Sequence, residues 1–213
     1  MAIAHDGGAR RDFAGNPEHV RLLAARVEQR GLQLDARMGS WAHMGAVIVD
    51  AALQPGMSYS TVAARARKIR DVWPDAVTLS GFRSRLAAED IGQVLPWRGS
   101  KVDVMHGLVE FFTSEGIETV GDIKERYDDP SSEAAFMQGL HRIKGVKRKT
   151  SDYLAMLSGS DQHVAIDSRL RGFAAAAGVP ALSYDALRAV IVAAARELGC
   201  TPGALDWAIW QAS

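Results

Sequence analysis

Two neighbouring segments decide the fold, and they read LHRIKGVKRKTSDYLAML from Leu140 to Leu157 and QHVAIDSRLRGF from Gln162 to Phe173. Apolar residues at helical spacing predict helices over 131–143 and 149–158, and the glycine-containing segment 144–148 predicts a tight turn between them. Asp167 followed by Ser168 is typical of a helix N-terminus, so a third helix begins there. The sequence therefore predicts a helical hairpin at residues 140–158 with another helix close behind it.

The turn of this hairpin is strongly basic. Five basic side chains and no acidic one stand within eight residues, namely Arg142, Lys144, Lys147, Arg148 and Lys149. A helix N-terminus after a glycine turn has unsatisfied N–H groups and a partial positive charge, which suit a phosphate. The residues expected to contact DNA at the turn are Lys144, Gly145, Val146, Lys147 and Arg148. The alternative is a solvated basic turn without a partner.

Composition limits the other possibilities. The chain has 213 residues, 47% of them apolar, with 25 basic and 25 acidic side chains, so any DNA surface must come from local clustering of charge. Cys200 is the only cysteine, which excludes an internal disulfide, a four-cysteine zinc site and a cysteine-ligated iron–sulfur cluster. The histidines lack metal-binding spacing, and we expect neither a metal nor a cofactor.

Helical patterns recur along the whole chain, and no pair of alternating strands is evident, so the sequence predicts an all-α fold. Residues 1–15 are expected to be a flexible N-terminal tail without a signal peptide, and no later window approaches a membrane span. We therefore expect a cytoplasmic monomer that does not interact with membranes and associates with the nucleoid when bound to DNA.

The hairpin and its flanks resemble the helix-hairpin-helix DNA glycosylase superfamily, which includes endonuclease III and the 8-oxoguanine glycosylases. The family pattern combines a hydrophobic-x-Gly-Val-Gly turn, a lysine at the start of the second helix and a later aspartate. The matching positions here are Ile143, Gly145, Val146, Lys149 and Asp167, and Asp167 stands 18 positions after Lys149. The resemblance covers roughly residues 40–180 and is specific only over 139–173.

This resemblance implies a two-lobed helical fold over residues 16–213, without an iron–sulfur cluster. One lobe, a helical barrel, would span approximately 40–130, and the second would combine 16–39 with 131–213 and carry the hairpin. It also implies base-excision repair of double-stranded DNA that contains a damaged, oxidised base such as 8-oxoguanine or an abasic site. Such an enzyme is a DNA glycosylase with abasic-site lyase activity, and it rotates the damaged base out of the helix.

The catalytic residues implied by the resemblance are Lys149 and Asp167. Lys149 would attack C1′ of the sugar and form a Schiff base, and Asp167 would stabilise the positive charge that develops there. Taken alone, a lysine at a helix start is a solvated side chain, and Asp167 is an ordinary N-cap. It is the pair, at the family spacing, that favours catalysis.

One position departs from the family pattern and motivates an alternative function. The family usually has a second glycine where this chain has Lys147, so Lys147 would either adopt a strained positive φ or belong to a slightly different turn. The chain could then be a non-catalytic helix-hairpin-helix DNA-binding protein. A monofunctional glycosylase for alkylated bases is the other alternative.

Three residues outside the hairpin are further candidates for DNA contacts. Trp97, on the loop from Pro96 to Gly99, would fill the gap left by the extruded base, or simply cover the core. Arg98 on the same loop and Gln54 between two helices would also contact DNA. In the C-terminal helix, Leu205 and Ile209 with Trp207 or Trp210 are expected to pack into the core.

Overall fold

The fold consists of helices, as the sequence predicts. The computed structural model describes residues 15–36, 38–95 and 99–213, and these contain twelve α-helices, one 3₁₀ turn over Pro74–Val77 and no strand. The helices are α1 (Pro17–Gln29), α2 (Met44–Leu53), α3 (Tyr59–Val72), α4 (Leu79–Ala88), α5 (Ile91–Val94), α6 (Ser100–Ser114), α7 (Val120–Asp128), α8 (Glu133–Leu140), α9 (Arg148–Leu157), α10 (Ser168–Ala176), α11 (Tyr184–Glu197) and α12 (Pro202–Gln211). None of them is long and apolar enough to cross a membrane. The predicted N-terminal tail lies outside the described residues, except for its last residue.

Most helix starts follow from local capping chemistry. Asn16 caps α1 with Pro17 at the first helical position, and the Ser58 side chain caps α3. The start of α6 is different, because Gly99 occupies the cap with a φ of +92° and no side-chain bond, and Ser100 is the first helical residue. The positive φ at this cap favours glycine.

A first apolar cluster surrounds α2, which is buried along its whole length. The β-branched run Val47–Val49 is helical despite its strand propensity, because α3, α4, α6 and α9 cover the helix from several sides. Contact with its neighbours is close at Gly45, where an added Cβ atom would lie 2.8 Å from a ring carbon of Phe82. The central helix therefore has neighbours on every face.

A second apolar cluster joins α1, α10, α11 and α12, together with Val164 and Ile166. The two helices that precede residue 158, α8 and α9, do not belong to it. Phe136 and Leu140 of α8, and most of the apolar residues of α9, pack in the first cluster. The reason is that Phe136 contacts the rings of Phe111, Phe112 and Tyr127, all of which belong to α6 or α7. Beyond Leu157 only Ala165 belongs to the first cluster, while its neighbours Val164 and Ile166 belong to the second.

Candidate active site

The turn between α8 and α9 requires glycine at position 145, and the next residue, Val146, is buried. Gly145 has a φ of +97°, and a Cβ atom there would lie 2.8 Å from Cγ2 of Val104. Both the backbone conformation and the space exclude a larger residue. Val146 follows with 4% of its surface exposed, and Ile143 packs against the first cluster. These apolar contacts fix the turn against α6.

Lys147 fits the turn without strain. It is the residue before α9, with φ −128° and ψ 176°, an extended conformation that any residue adopts. Among the described residues, only glycines have a positive φ. Of the two outcomes expected for a lysine at the family's glycine position, the structure has the unstrained one. The turn therefore does not need a glycine at Lys147, and its residue with a positive φ is Gly145.

The basic side chains of the turn are mostly exposed. Arg142, Lys144, Lys147 and Arg148 all face solvent. Arg148 forms an ion pair with Asp185 in the first turn of α11, so part of its charge is already offset. The surface beside the start of α9 is thus a cationic patch, to which Lys144 and Lys147 contribute exposed charges.

Lys149 and Asp167 line the same narrow cleft, whose cavity volume is about 30 Å³. Lys149 is half-buried in the first turn of α9, and Asp167 precedes α10. The complete lining is Met38, Gln54, Tyr59, Lys149, Tyr153, Met156, Ala165, Asp167, Asp206, Trp207 and Trp210. The structure therefore brings together the amine and the carboxylate that the sequence paired.

Asp167 also has the structural role that was its alternative interpretation. Its Oδ1 atom accepts hydrogen bonds from the amides of Arg169 at 2.9 Å and Leu170 at 3.0 Å, which caps α10. The two roles are compatible, because the cap fixes the orientation of a carboxylate that also lines the cleft. A side chain held in this way is preorganised.

Asp206 is a third ionisable residue in the cleft, and the sequence interpretation missed it. Only 5% of its surface is exposed, and its Oδ2 atom accepts a hydrogen bond from the amide of Ala165 at 2.9 Å. Burial is the main cause that raises the pKa of Asp206 to about 7. The carboxylates of Asp167 and Asp152 act in the same direction, and the Ala165 amide and Lys149 oppose them. The available signal was an acidic residue inside the apolar sequence LDWAIW.

One wall of the cleft is aromatic. The indole rings of Trp207 and Trp210 stack with their centroids 5.1 Å apart, and Tyr59 meets Trp210 edge-on at 4.8 Å. The guanidinium of Arg169 lies 4.2 Å from the centre of the Trp210 ring. Leu205 and Ile209 are buried as expected, but both tryptophans are half-buried and line the cleft. The prediction of a core role for them was therefore wrong.

One of the remaining sequence candidates lies inside the cleft, and the other two lie outside the described residues. Gln54 lines the cleft, and its Oε1 atom is buried without a hydrogen-bond partner in the described part of the chain. Trp97 and Arg98 lie outside the described residues. Within the ranges that the structure describes, no group of three or more His, Cys, Asp or Glu side chains is arranged to hold a metal ion.

Comparison with protein families gives a match, which covers the C-terminal half of the chain. Residues 98–213 match a family described as a domain of unknown function, DUF8548. The chain belongs to this family. The DUF8548 region begins just before α6 and contains Lys149, Asp167 and Asp206, whereas Gln54 and Tyr59 precede it. Comparisons with curated proteins and with solved structures gave no match. The function of this DUF8548 protein must therefore be argued from the cleft itself.

Proposed function

We propose that the protein is a base-excision repair DNA glycosylase with abasic-site lyase activity, and that Lys149 is its nucleophile. The observation that carries the proposal is the cleft in which Lys149 and Asp167 meet beside an aromatic wall. A two-lobed helix-hairpin-helix glycosylase fold, with the basic turn as its hairpin, is part of the same proposal.

The lining of the cleft suits a planar base. An enzyme that cleaves a glycosidic bond must take the nucleotide out of the stack, because the reacting carbon is not accessible inside the duplex. Tyr59, Trp207 and Trp210 offer rings against which such a base can stack. The Oε1 atom of Gln54 lacks a partner in the described structure, which makes it an acceptor for an N–H group of the base.

The ionisable groups supply the chemistry. The Lys149 nitrogen forms a bond to C1′ of the sugar as the bond from C1′ to the base breaks, and the departing base takes up a proton. Asp167, held by its cap, stabilises the positive charge that develops on the sugar. Asp206, with a pKa of about 7, is able to give or accept a proton near neutral pH.

The exposed cationic turn is the proposed contact with double-stranded DNA. Lys144 and Lys147 precede Lys149 on the same turn, so phosphates bound there would lie next to the cleft. The free N–H groups at the start of α9 add a partial positive charge to these side chains. Such binding is electrostatic and weakens as salt concentration rises.

Trapping with borohydride tests the proposed nucleophile. A duplex with an abasic site or an oxidised base such as 8-oxoguanine is expected to form a covalent adduct with the wild-type protein, and Lys149→Gln to form none. Lys147→Gln is the matched control, since it removes an exposed lysine two residues away. This control should bind DNA more weakly, with a less steep salt dependence, yet give the full adduct at saturating DNA.

Other outcomes would identify different functions. Absence of an adduct with the wild type, or an undiminished adduct with Lys149→Gln, contradicts the lyase. Base release without strand cleavage would indicate a monofunctional glycosylase. Binding without preference for any lesion in a panel of damaged duplexes would indicate a non-catalytic DNA-binding protein.

A further inference from the structure

The hydroxyl of Tyr184 connects the two segments that carry the proposed catalytic pair. Tyr184 is the first residue of α11, and its hydroxyl donates to Oδ2 of Asp152 at 2.8 Å. The same oxygen accepts a hydrogen bond from the amide of Ile166 at 3.3 Å. Asp152 lies one turn after Lys149 on α9, and Ile166 immediately precedes Asp167. A single side chain therefore links the two segments.

The acceptor of this hydrogen bond is itself held in place. Asp152 is 2% exposed, and its Oδ1 atom lies 3.2 Å from Nδ1 of His163 and 3.5 Å from Nε of Arg188. A buried carboxylate requires such partners, because a buried charge without them strongly destabilises the fold. Burial raises the pKa of Tyr184, and the Asp152 carboxylate raises it further, so the hydroxyl keeps its proton and donates.

A second contact joins the start of α9 to the start of α11, but its side chains are more exposed. Asp185, next to Tyr184, pairs with Arg148, next to Lys149. Both of these side chains are about half exposed, and exposed ion pairs contribute little to stability. The buried bond from Tyr184 to Asp152 thus connects α9 to the Ile166 amide before α10, beside the direct contact of Asp152 with His163.

We propose that Tyr184 is a positioning residue, whose hydroxyl sets the separation of the Lys149 amine and the Asp167 carboxylate by tying Asp152 to Ile166. Its effect on catalysis rests on the proposed function, whereas the tether does not. Misplacement of reacting groups by about 1 Å is enough to slow a reaction by large factors.

Tyr184→Phe tests the tether, because it removes the hydroxyl and keeps the ring. Tyr127→Phe is the matched control: the Tyr127 hydroxyl is also buried and donates to α9, at the carbonyl of Ser151 with a distance of 2.7 Å, but it has no bond to the segment 163–167. Amide hydrogen exchange of Ile166 should be about tenfold faster in Tyr184→Phe and unchanged in Tyr127→Phe. Exchange of Leu23 in α1 should not change in either variant.

Single-turnover trapping on abasic duplex DNA tests the catalytic consequence. Tyr184→Phe should lower the maximal rate of adduct formation about tenfold, without changing the DNA concentration at half-maximal rate. Tyr127→Phe should retain the wild-type rate. A purely structural role would instead affect the stability of both variants and leave both rates alike.

The two measurements separate the possible failures. Unchanged exchange at Ile166, or exchange that accelerates equally at Leu23, overturns the tether whatever happens with DNA. Faster exchange at Ile166 with a full maximal rate overturns the positioning role while the proposed enzyme stands. If the wild type forms no adduct, the proposed function fails together with the catalytic role of Tyr184, and the exchange result still decides the tether.

Discussion

The two apolar clusters differ in how they are built, and the cleft lies where they meet. The first surrounds α2, whose every residue is buried, whereas the second consists of α1 and α10–α12, and none of these helices is buried along its whole length. Lys149 belongs to a helix of the first cluster, and Asp167 and Asp206 belong to helices of the second. Because each half of the site has its own apolar support, the distance between the halves depends on a few polar contacts.

Asp167→Asn is expected to have the largest effect on this junction. Asparagine caps a helix as well as aspartate does, so the free energy of unfolding should remain unchanged. The charge that stabilises the developing cation is lost, and the rate of adduct formation should fall about 10²- to 10³-fold. Single-turnover trapping measures the rate, and urea unfolding measures the stability.

Asp167→Ala separates the charge from the cap. It should lose the same rate and, in addition, about 1 kcal/mol of stability, because the amides at the start of α10 lose their acceptor. An asparagine variant that reacts as fast as the wild type would show that Asp167 only supports α10.

Asp206 should make stability depend on pH. Its pKa is about 7 in the folded protein, against 3.8 as the ordinary value. As the pH rises from about 4 to about 7, the unfolded chain loses this proton first, so the free energy of unfolding falls, by roughly 4 kcal/mol at most. Above pH 7 the contribution is constant. Asp206→Asn keeps an acceptor for the Ala165 amide and should lack this decline.

Urea unfolding measures the difference in the free energy of unfolding between Asp206→Asn and the wild type. The pH should run from about 4.5 to about 8.5, which covers most of this titration. The variant should gain stability relative to the wild type as the pH rises. Asp90→Asn, at an exposed cap, is the control and should show no such trend. A difference between Asp206→Asn and the wild type that stays constant over the whole range contradicts the assignment.

Substitution of one glycine in each cluster tests how tightly the two clusters are packed, and these variants should have the smallest effects on stability. A Cβ atom at Gly45 in α2 would lie 2.8 Å from Phe82 and 3.2 Å from both Ala76 and Ile69, whereas Gly172 in α10 has nothing within 4 Å. Gly45→Ala should destabilise the protein by about 1 to 2 kcal/mol. Gly172→Ala should stabilise it by about 0.5 to 1 kcal/mol, since alanine favours a helix. Urea unfolding measures both changes, and equal signs would contradict the comparison.

Local chemistry made much of the helical order predictable. The cap at Asn16, the breaks around the glycines and the hairpin over 140–158 depend on residues close together in sequence. The same reasoning placed Lys149 and Asp167 at helix starts. It did not find the 3₁₀ turn over Pro74–Val77, which lies between two helices without a periodic pattern of its own.

Contacts between segments that are far apart in sequence could not be predicted from local patterns. The assignment of α8 to the first cluster depends on the rings of α6 and α7, and the cleft role of Trp207 and Trp210 depends on Tyr59, far away in sequence. Asp206 and Tyr184 each act on the segment 164–167 from helices that follow it. Helical spacing identifies an apolar face but not the surface that it meets.

The sequence by itself determined an all-helical chain, a basic turn with a necessary glycine, and a lysine and an aspartate at two helix starts. These depend on backbone preferences and on charges within a few residues of each other. Only the tertiary structure decided that both side chains face one aromatic cleft, that Lys147 is unstrained and that Asp206 joins them. Burial and pairing over long distances along the chain fix those features, because the cost of an unpaired buried charge depends on which helices surround it.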